Sequence, residues 1–235
     1  MSQAVKEPHK QLPLELPDVD PCYESARFVR SEANDAAWRT AHAWLGSDQP
    51  ALIICGPKGA GKTHLAHVIA EQAVEQGSGT AAFISEAAFS AGDLPASLII
   101  VESLPPGSPH AFLQAYETAA ANGARTAFIG RGHPSSWAMG LKDLRTRLEA
   151  MPRAVLNEPD EALIRAVIAK SFADRQLRVP ERIIDYAVAR LPRTFAAAHA
   201  FVALADRKAL EEGRKITAPM VQNLLDNLSE GAIKA

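Results

Sequence analysis

The stretch Gly56-Pro57-Lys58-Gly59-Ala60-Gly61-Lys62-Thr63 decides the fold. It follows a short apolar run, Ala51 to Cys55, and precedes a helix-forming run from His64 to Gln76. The order GxxxxGK[ST] between a predicted strand and a predicted helix is a loop built to hold phosphate. Its glycines remove Cβ atoms so that backbone N–H groups converge on an anion. The helix N-terminus adds about half a positive charge. By that logic all eight residues, with His64 behind them, line a nucleotide. Lys62 is expected to reach the β and γ phosphates and Thr63 to hold Mg2+. ATP and ADP fit equally well.

From Ala51 to about Asn157 short apolar runs alternate with helical stretches, the further runs being Thr80 to Ile84, Leu98 to Glu102, Thr126 to Gly130 and Arg153 to Leu156. Strands alternating with helices predict a doubly wound α/β domain, because each parallel return needs a crossover. After Pro159 the strand signals stop. Helices are expected over Asp160–Arg175, Pro180–Leu191, Arg193–Glu212 and Thr217–Leu228, forming a small α-helical lid domain. Ahead of the α/β part, Pro8, Pro13, Pro17 and Pro21 block a continuous helix. The expected organisation is an extended tail over 1–22, a nucleotide-binding α/β domain over 23–157 opening with a helix at Phe28–Leu45, and a helical domain over 158–235.

The chain has 235 residues, 47% hydrophobic, 22% charged, and a formal net charge of -2. That apolar content excludes wholesale disorder, and no apolar run nears the roughly 18 to 20 residues of a membrane span. No secretory leader pattern opens the chain. Cys22 and Cys55 lie far apart without CxxC spacing, which supports neither a disulfide framework nor a zinc site. A cytoplasmic protein without membrane contact is expected. Near-neutral charge argues against coating nucleic acid by bulk electrostatics.

A P-loop enzyme needs a carboxylate at a strand end to hold the water shell of Mg2+, and usually a second to orient the attacking water. Leu98-Ile99-Ile100-Val101-Glu102-Ser103 has the strand and one acid. Glu102 stands where an Asp is usual, and Ser103 stands where the second acid is expected. Magnesium binding through Glu102 is retained on this reading, and hydrolysis of the protein's own nucleotide is impaired. Whether the chain is itself an enzyme stays open.

Gly61-Lys62-Thr63-His64-Leu65-Ala66-His67 resembles the P-loop of the bacterial initiator family DnaA and its shorter relatives within the AAA+ ATPases. Thr126 to Pro134 is similar to the strand and turn called sensor 1, Leu141 to Leu148 to the arginine-bearing segment, and Asp160 to Leu228 to the helical lid. Phe28-Val29 through Asn34 resembles the family's N-terminal linker, which implies either packing near adenine or a linker anchored on the core. The expectation is a chain without the initiators' helix-turn-helix domain after Ala235, which would narrow the resemblance to the Hda-type regulatory inactivators of DnaA. Gln11-Leu12-Pro13-Leu14-Glu15-Leu16 resembles that family's sliding-clamp-binding peptide. A proline-stiffened extended peptide with alternate leucines loses less entropy on docking into an apolar groove.

The resemblance places an arginine finger, acting in trans, at Arg147. On Gly140 to Met151 the residues Leu141, Leu144, Leu148 and Met151 make an apolar stripe with Arg145 and Arg147 on its flanks. From Arg125 to Arg153 six basic residues stand against Asp143 and Glu149, a local positive face. Two departures weaken self-catalysis. Ile129-Gly130-Arg131 lacks the polar sensor 1 residue, and Ala196 occupies the sensor 2 position, with Arg193 a turn earlier as a nucleotide-binding substitute. The implied function is negative regulation of replication initiation. Its partners would be the DnaA initiator, the DNA polymerase III β sliding clamp, DNA indirectly through that clamp, and a homo-oligomer as a further arrangement. The alternative from the same signature is a helicase loader or other self-contained AAA+ ATPase.

Overall fold

The computed structural model describes residues 28–137 and 140–231. Five strands, β1 (Ala51–Gly56), β2 (Ala81–Ser85), β3 (Leu98–Leu104), β4 (Arg125–Arg131) and β5 (Arg153–Val155), form one sheet in the order β2-β3-β4-β1-β5. Every pairing is parallel. Helices α1 (Glu32–Leu45), α2 (Lys62–Glu75), α3 (Glu86–Ser90), α4 (Pro109–Ala121) and α5 (Lys142–Ala150) flank it. This is the predicted doubly wound α/β architecture.

All six residues of β1 are buried, and alternation along the strand divides them between two cores. Leu52 and Ile54 join Trp44, Leu65, Ile69 and Ile100 on the side of α1 and α2. Ala51, Ile53 and Cys55 join Phe89, Phe112, Phe128, Leu144 and Leu148 on the side of α3, α4 and α5. A strand buried on both faces reads as an unbroken apolar run, which is why ALIIC carried the fold signal.

Two expectations need correction. The helix expected from Phe28 begins at Glu32. Asn34, buried among apolar neighbours, accepts a hydrogen bond from the Ser31 N–H at 2.9 Å and donates to the Val29 carbonyl at 2.8 Å. That side chain takes over backbone groups a longer helix would have needed, and holds Phe28–Arg30 extended against the helix start. The basic run from Arg125 to Arg153 is not one face either. Arg125 opens β4 and Arg131 closes it, six residues or about 20 Å apart at strand rise. The Arg125 guanidinium lies 4.1 Å from the Trp44 ring centroid and donates to the carbonyls of Trp44 and Leu45, closing the C-terminus of α1.

Helices α6 (Glu161–Asp174), α7 (Glu181–Val188), α8 (Phe195–Glu212) and α9 (Ala218–Gly231) complete the chain. The Asp160 carboxylate accepts from the Leu163 N–H at 2.7 Å and opens α6. The described residues divide into two compact units. The sheet unit extends to Val167 and includes Arg193–Phe195. The helical unit holds Ile168–Pro192 and the residues from Ala196 onward. Within it Phe172 and Phe201 meet edge to face at 6.0 Å, and Arg175 pairs with Asp206 at 3.4 Å. Among the described residues no helix is long and apolar enough to cross a membrane.

On the outer side of α2, His67 stacks on Phe83 of edge strand β2 with ring centroids 3.9 Å apart. Burial lowers its pKa below the ordinary 6.5. A base held neutral in the folded state binds fewer protons than in the unfolded chain, so the unfolded state gains as pH falls. Its contribution is undiminished above pH 6.5 and declines as pH falls from there to the depressed value. Urea midpoints at pH 7.5 and pH 5.5 should therefore differ less in His67→Phe, which keeps the ring stack and loses the proton, than in the wild type.

Candidate nucleotide site

The loop leaves β1 at Gly56, whose φ of 151° and surroundings exclude any other residue. A Cβ there would lie 2.1 Å from the Leu156 carbonyl oxygen. Gly59 and Gly61 take left-handed φ values of 80° and 87°. Gly61 is the N-cap of α2 and supplies no capping side chain, and no acidic residue stands in the first turn. The first amides of α2 are thus left to an external anion. Lys62 donates its ammonium to the Gly56 and Pro57 carbonyls at 3.0 and 2.6 Å. Its pKa is lowered by burial first and by the neighbouring Arg131 charge second. A half-buried cation turned onto loop carbonyls, beside uncapped amides, is compatible with the phosphate chemistry predicted for Gly56 to Thr63.

Beside the loop, Phe28 meets His64 edge to face at 5.2 Å and packs on the apolar core under α2. Val29 is fixed through its carbonyl to Asn34. From the other side Thr194 approaches Gly59, and the Phe195 ring comes so close to Gly61 that a Cβ there would sit 3.0 Å from it. Arg193, one residue before, pairs instead with exposed Glu161 at 3.5 Å. The sequence resemblance points to Arg193 and Ala196 at this place, and nothing in it predicts the aromatic ring against Gly61.

The rest of the edge is made by β3 and β4. β4 lies between the loop strand β1 and β3, so Glu102 is one strand removed from the loop. The β3–β4 register slips between Val101 and Leu104, and within that bulge Ser103 holds a φ of 75°. Glu102 is half-buried and Ser103 exposed. Thr63 and Glu102 offer only oxygen donors at the C-terminal edge of the sheet, the donor type that Mg2+ takes. At the end of β4 the Trp137 indole covers Gly130 and donates to the Arg131 carbonyl at 2.6 Å. The Gly132 N–H donates to the Gly56 carbonyl at 3.2 Å, tying the end of β4 to the start of the loop. Nothing in the spacing of Trp137 announced this role.

Arg147 lies on α5, which packs on the face of the sheet opposite α2. It is partly exposed and pairs with Glu117 of α4 at 2.8 Å and with Asp143 at 3.3 Å. Leu144 and Leu148 are buried beneath it, as the stripe predicted. The peptide Gln11, Leu12, Pro13, Leu14, Glu15, Leu16 lies outside the described residues.

Gly130 is as closely covered as Gly56, since a Cβ would fall 2.2 Å from Trp137 Cζ2. Gly130→Ala should lower stability in urea by about 1 to 3 kcal/mol. In the Trp137→Ala background the same change should cost little, because the clash is gone. Additive losses would count against the contact.

No protein-family model matches the chain, and no curated protein matches it by sequence. Solved structures do. Domain III of the Thermotoga maritima replication initiation protein DnaA superposes with a TM-score of 0.76 at 16% identity, over 92% of this chain and 98% of that one. AMPPCP-bound DnaA from Aquifex aeolicus gives 0.68 at 18% identity, over 82% of this chain and 67% of that one. The Thermotoga maritima RuvB Holliday junction branch migration motor gives 0.59 at 14%, over 81% and 66%. At such identities the likeness is one of fold: the chain has the AAA+ P-loop fold, in the form seen in DnaA domain III.

Proposed function

We propose that the protein is a nucleotide-binding AAA+ regulator of replication initiation that stimulates hydrolysis of ATP on the DnaA initiator while docked on the DNA polymerase sliding clamp. The observation that carries this reading is a glycine loop opening a helix with uncapped amides, beside an edge poor in catalytic acids. Gly56, Gly59 and Gly61 hold positive φ values and the Lys62 ammonium lies beside them on the Gly56 carbonyl, which supports phosphate binding, whereas Ser103 and Arg131 occupy places where acids are usual. Such a site holds a nucleotide and turns it over poorly.

Bound ATP would supply a terminal phosphoryl group and Mg2+ the charge that polarises it, while ADP would fill the same loop without that group. This chain's residues do the rest. The α2 amides and Lys62 would bind the phosphates, Thr63 and Glu102 would hold the metal, Glu102 through water, and Phe28, Val29 and His64 would flank the base. Arg193 approaches the nucleotide on release from Glu161. Arg147 acts outside this site, reaching ATP on the partner, where its guanidinium neutralises charge developing on the γ phosphate. Its pairs with Glu117 and Asp143 involve exposed partners, and each such pair is worth about 0 to 1 kcal/mol. Moving Arg147 to a phosphate therefore costs little. Gln11 to Leu16 supply the clamp contact, with leucines entering an apolar groove and Gln11 anchoring one end.

Retained Glu102 favours a second reading, a self-contained ATPase of the helicase-loader kind. Hydrolysis measured with the chain alone, with clamp on DNA, and then with DnaA added separates the two. Turnover is expected only in the last mixture. Substantial turnover by the chain alone, abolished by Lys62→Ala, would favour the second reading. Arg147→Ala should reduce the stimulation about a thousandfold or to background and leave clamp retention intact. Gln11→Ala with Leu14→Ala should remove clamp retention, and equal retention would exclude that role for the tail.

A further inference from the structure

Arg131 is the one departure at this edge that adds charge. It closes β4 directly alongside Gly56, its register partner on β1. Two bonds fix its backbone there: the Trp137 indole donates to its carbonyl, and the Gly132 N–H donates to Gly56. Its side chain is exposed and, among the described residues, has no carboxylate in an ion pair with it. Arg145, Arg147 and Arg193 are each paired with acids.

We propose that the Arg131 guanidinium is a second phosphate-binding cation of this loop, contacting the terminal phosphate of a bound nucleoside triphosphate alongside Lys62. The proposal rests on the nucleotide-binding reading of Gly56–Thr63 and assigns a further residue to that site. The placement follows from topology. β4 lies between the loop strand and Glu102, so a side chain at its C-terminal end stands on the metal side of the loop, where Lys62 reaches the outer phosphates. Lys62 donates to the carbonyl of Gly56, the register partner of Arg131, so both cations stand beside the same residue. Two cations held together without an acid repel each other until an anion lies between them. A guanidinium presents a planar fork that matches phosphate oxygens and keeps its charge at all accessible pH. An acid or amide at this place would orient a water, while an arginine grips the phosphate itself. The result is a site biased towards holding a triphosphate.

Calorimetric titration of ATP and ADP into the full chain tests this, using wild type, Arg131→Ala, Arg131→Gln, Arg131→Lys and Lys62→Ala. Both neutral substitutions should weaken ATP about tenfold or more and ADP less than about threefold, the loss expected for one charge-assisted contact to the outer phosphate. Arg131→Lys should recover part of the ATP affinity, and the salt dependence of ATP binding should become shallower in the neutral variants. Ligand-free Tm should be no lower in either variant, since the residue is exposed and the removed charge repels Lys62. Unchanged ATP affinity, or equal losses for ATP and ADP, would overturn the assignment. The underlying reading fails separately: wild type would bind neither nucleotide, or Lys62→Ala would leave both affinities intact.

Discussion

The double burial of β1 is the constraint on which the rest of the molecule depends. A strand covered on both faces and paired on both edges has no freedom to shift, so the loop at its end is delivered to a fixed point. Gly56 makes the exit possible by passing the Leu156 carbonyl at a distance no side chain tolerates. From there the loop turns through Gly59 and Gly61 into α2, whose Leu65 and Ile69 return to the same core as Leu52 and Ile54. Strand, loop and helix are thus one packed unit, and the geometry of the cradle is set by apolar contacts before any phosphate arrives.

Charge is distributed along this frame by the direction of the strands. Arg125 and Arg131 lie on one strand, yet they serve opposite edges of the sheet. The first is spent on α1, stacked on Trp44 and bonded to the last carbonyls of that helix. The second stands beside the loop with its guanidinium open to solvent. A net charge near zero therefore coexists with a concentrated positive edge, because acids and bases pair elsewhere, as Arg30 and Arg39 do with Asp35.

The loop and the strand pattern were legible in sequence because both are local: GxxxxGK[ST] between an apolar run and a helical one leaves little choice. The strands fell within a few residues of their expected places for the same reason. Legibility ended where tertiary contacts decide. Phe28 belongs to an apolar pattern that predicts helix, but Asn34 captures the backbone ahead of Glu32 and overrides it. Arg125 looked like part of a surface patch because sequence proximity hides the sheet's two edges. Trp137, Thr194 and Phe195 carry no motif, and their place beside Gly130, Gly59 and Gly61 follows only from how the chain returns. The bulge at Glu102 and Ser103 was equally hidden, since register is not written in a single strand.

Trp137 has a further consequence of an optical kind. Its indole N–H is bound to the carbonyl of Arg131, while Trp38 and Trp44 both belong to α1. Indole emission responds to nearby charge and to the strength of the bond its N–H makes. The chain therefore carries, at the end of β4, a built-in chromophore joined by one hydrogen bond to the residue beside the phosphate loop, and events at that edge are open to observation in the unlabelled protein.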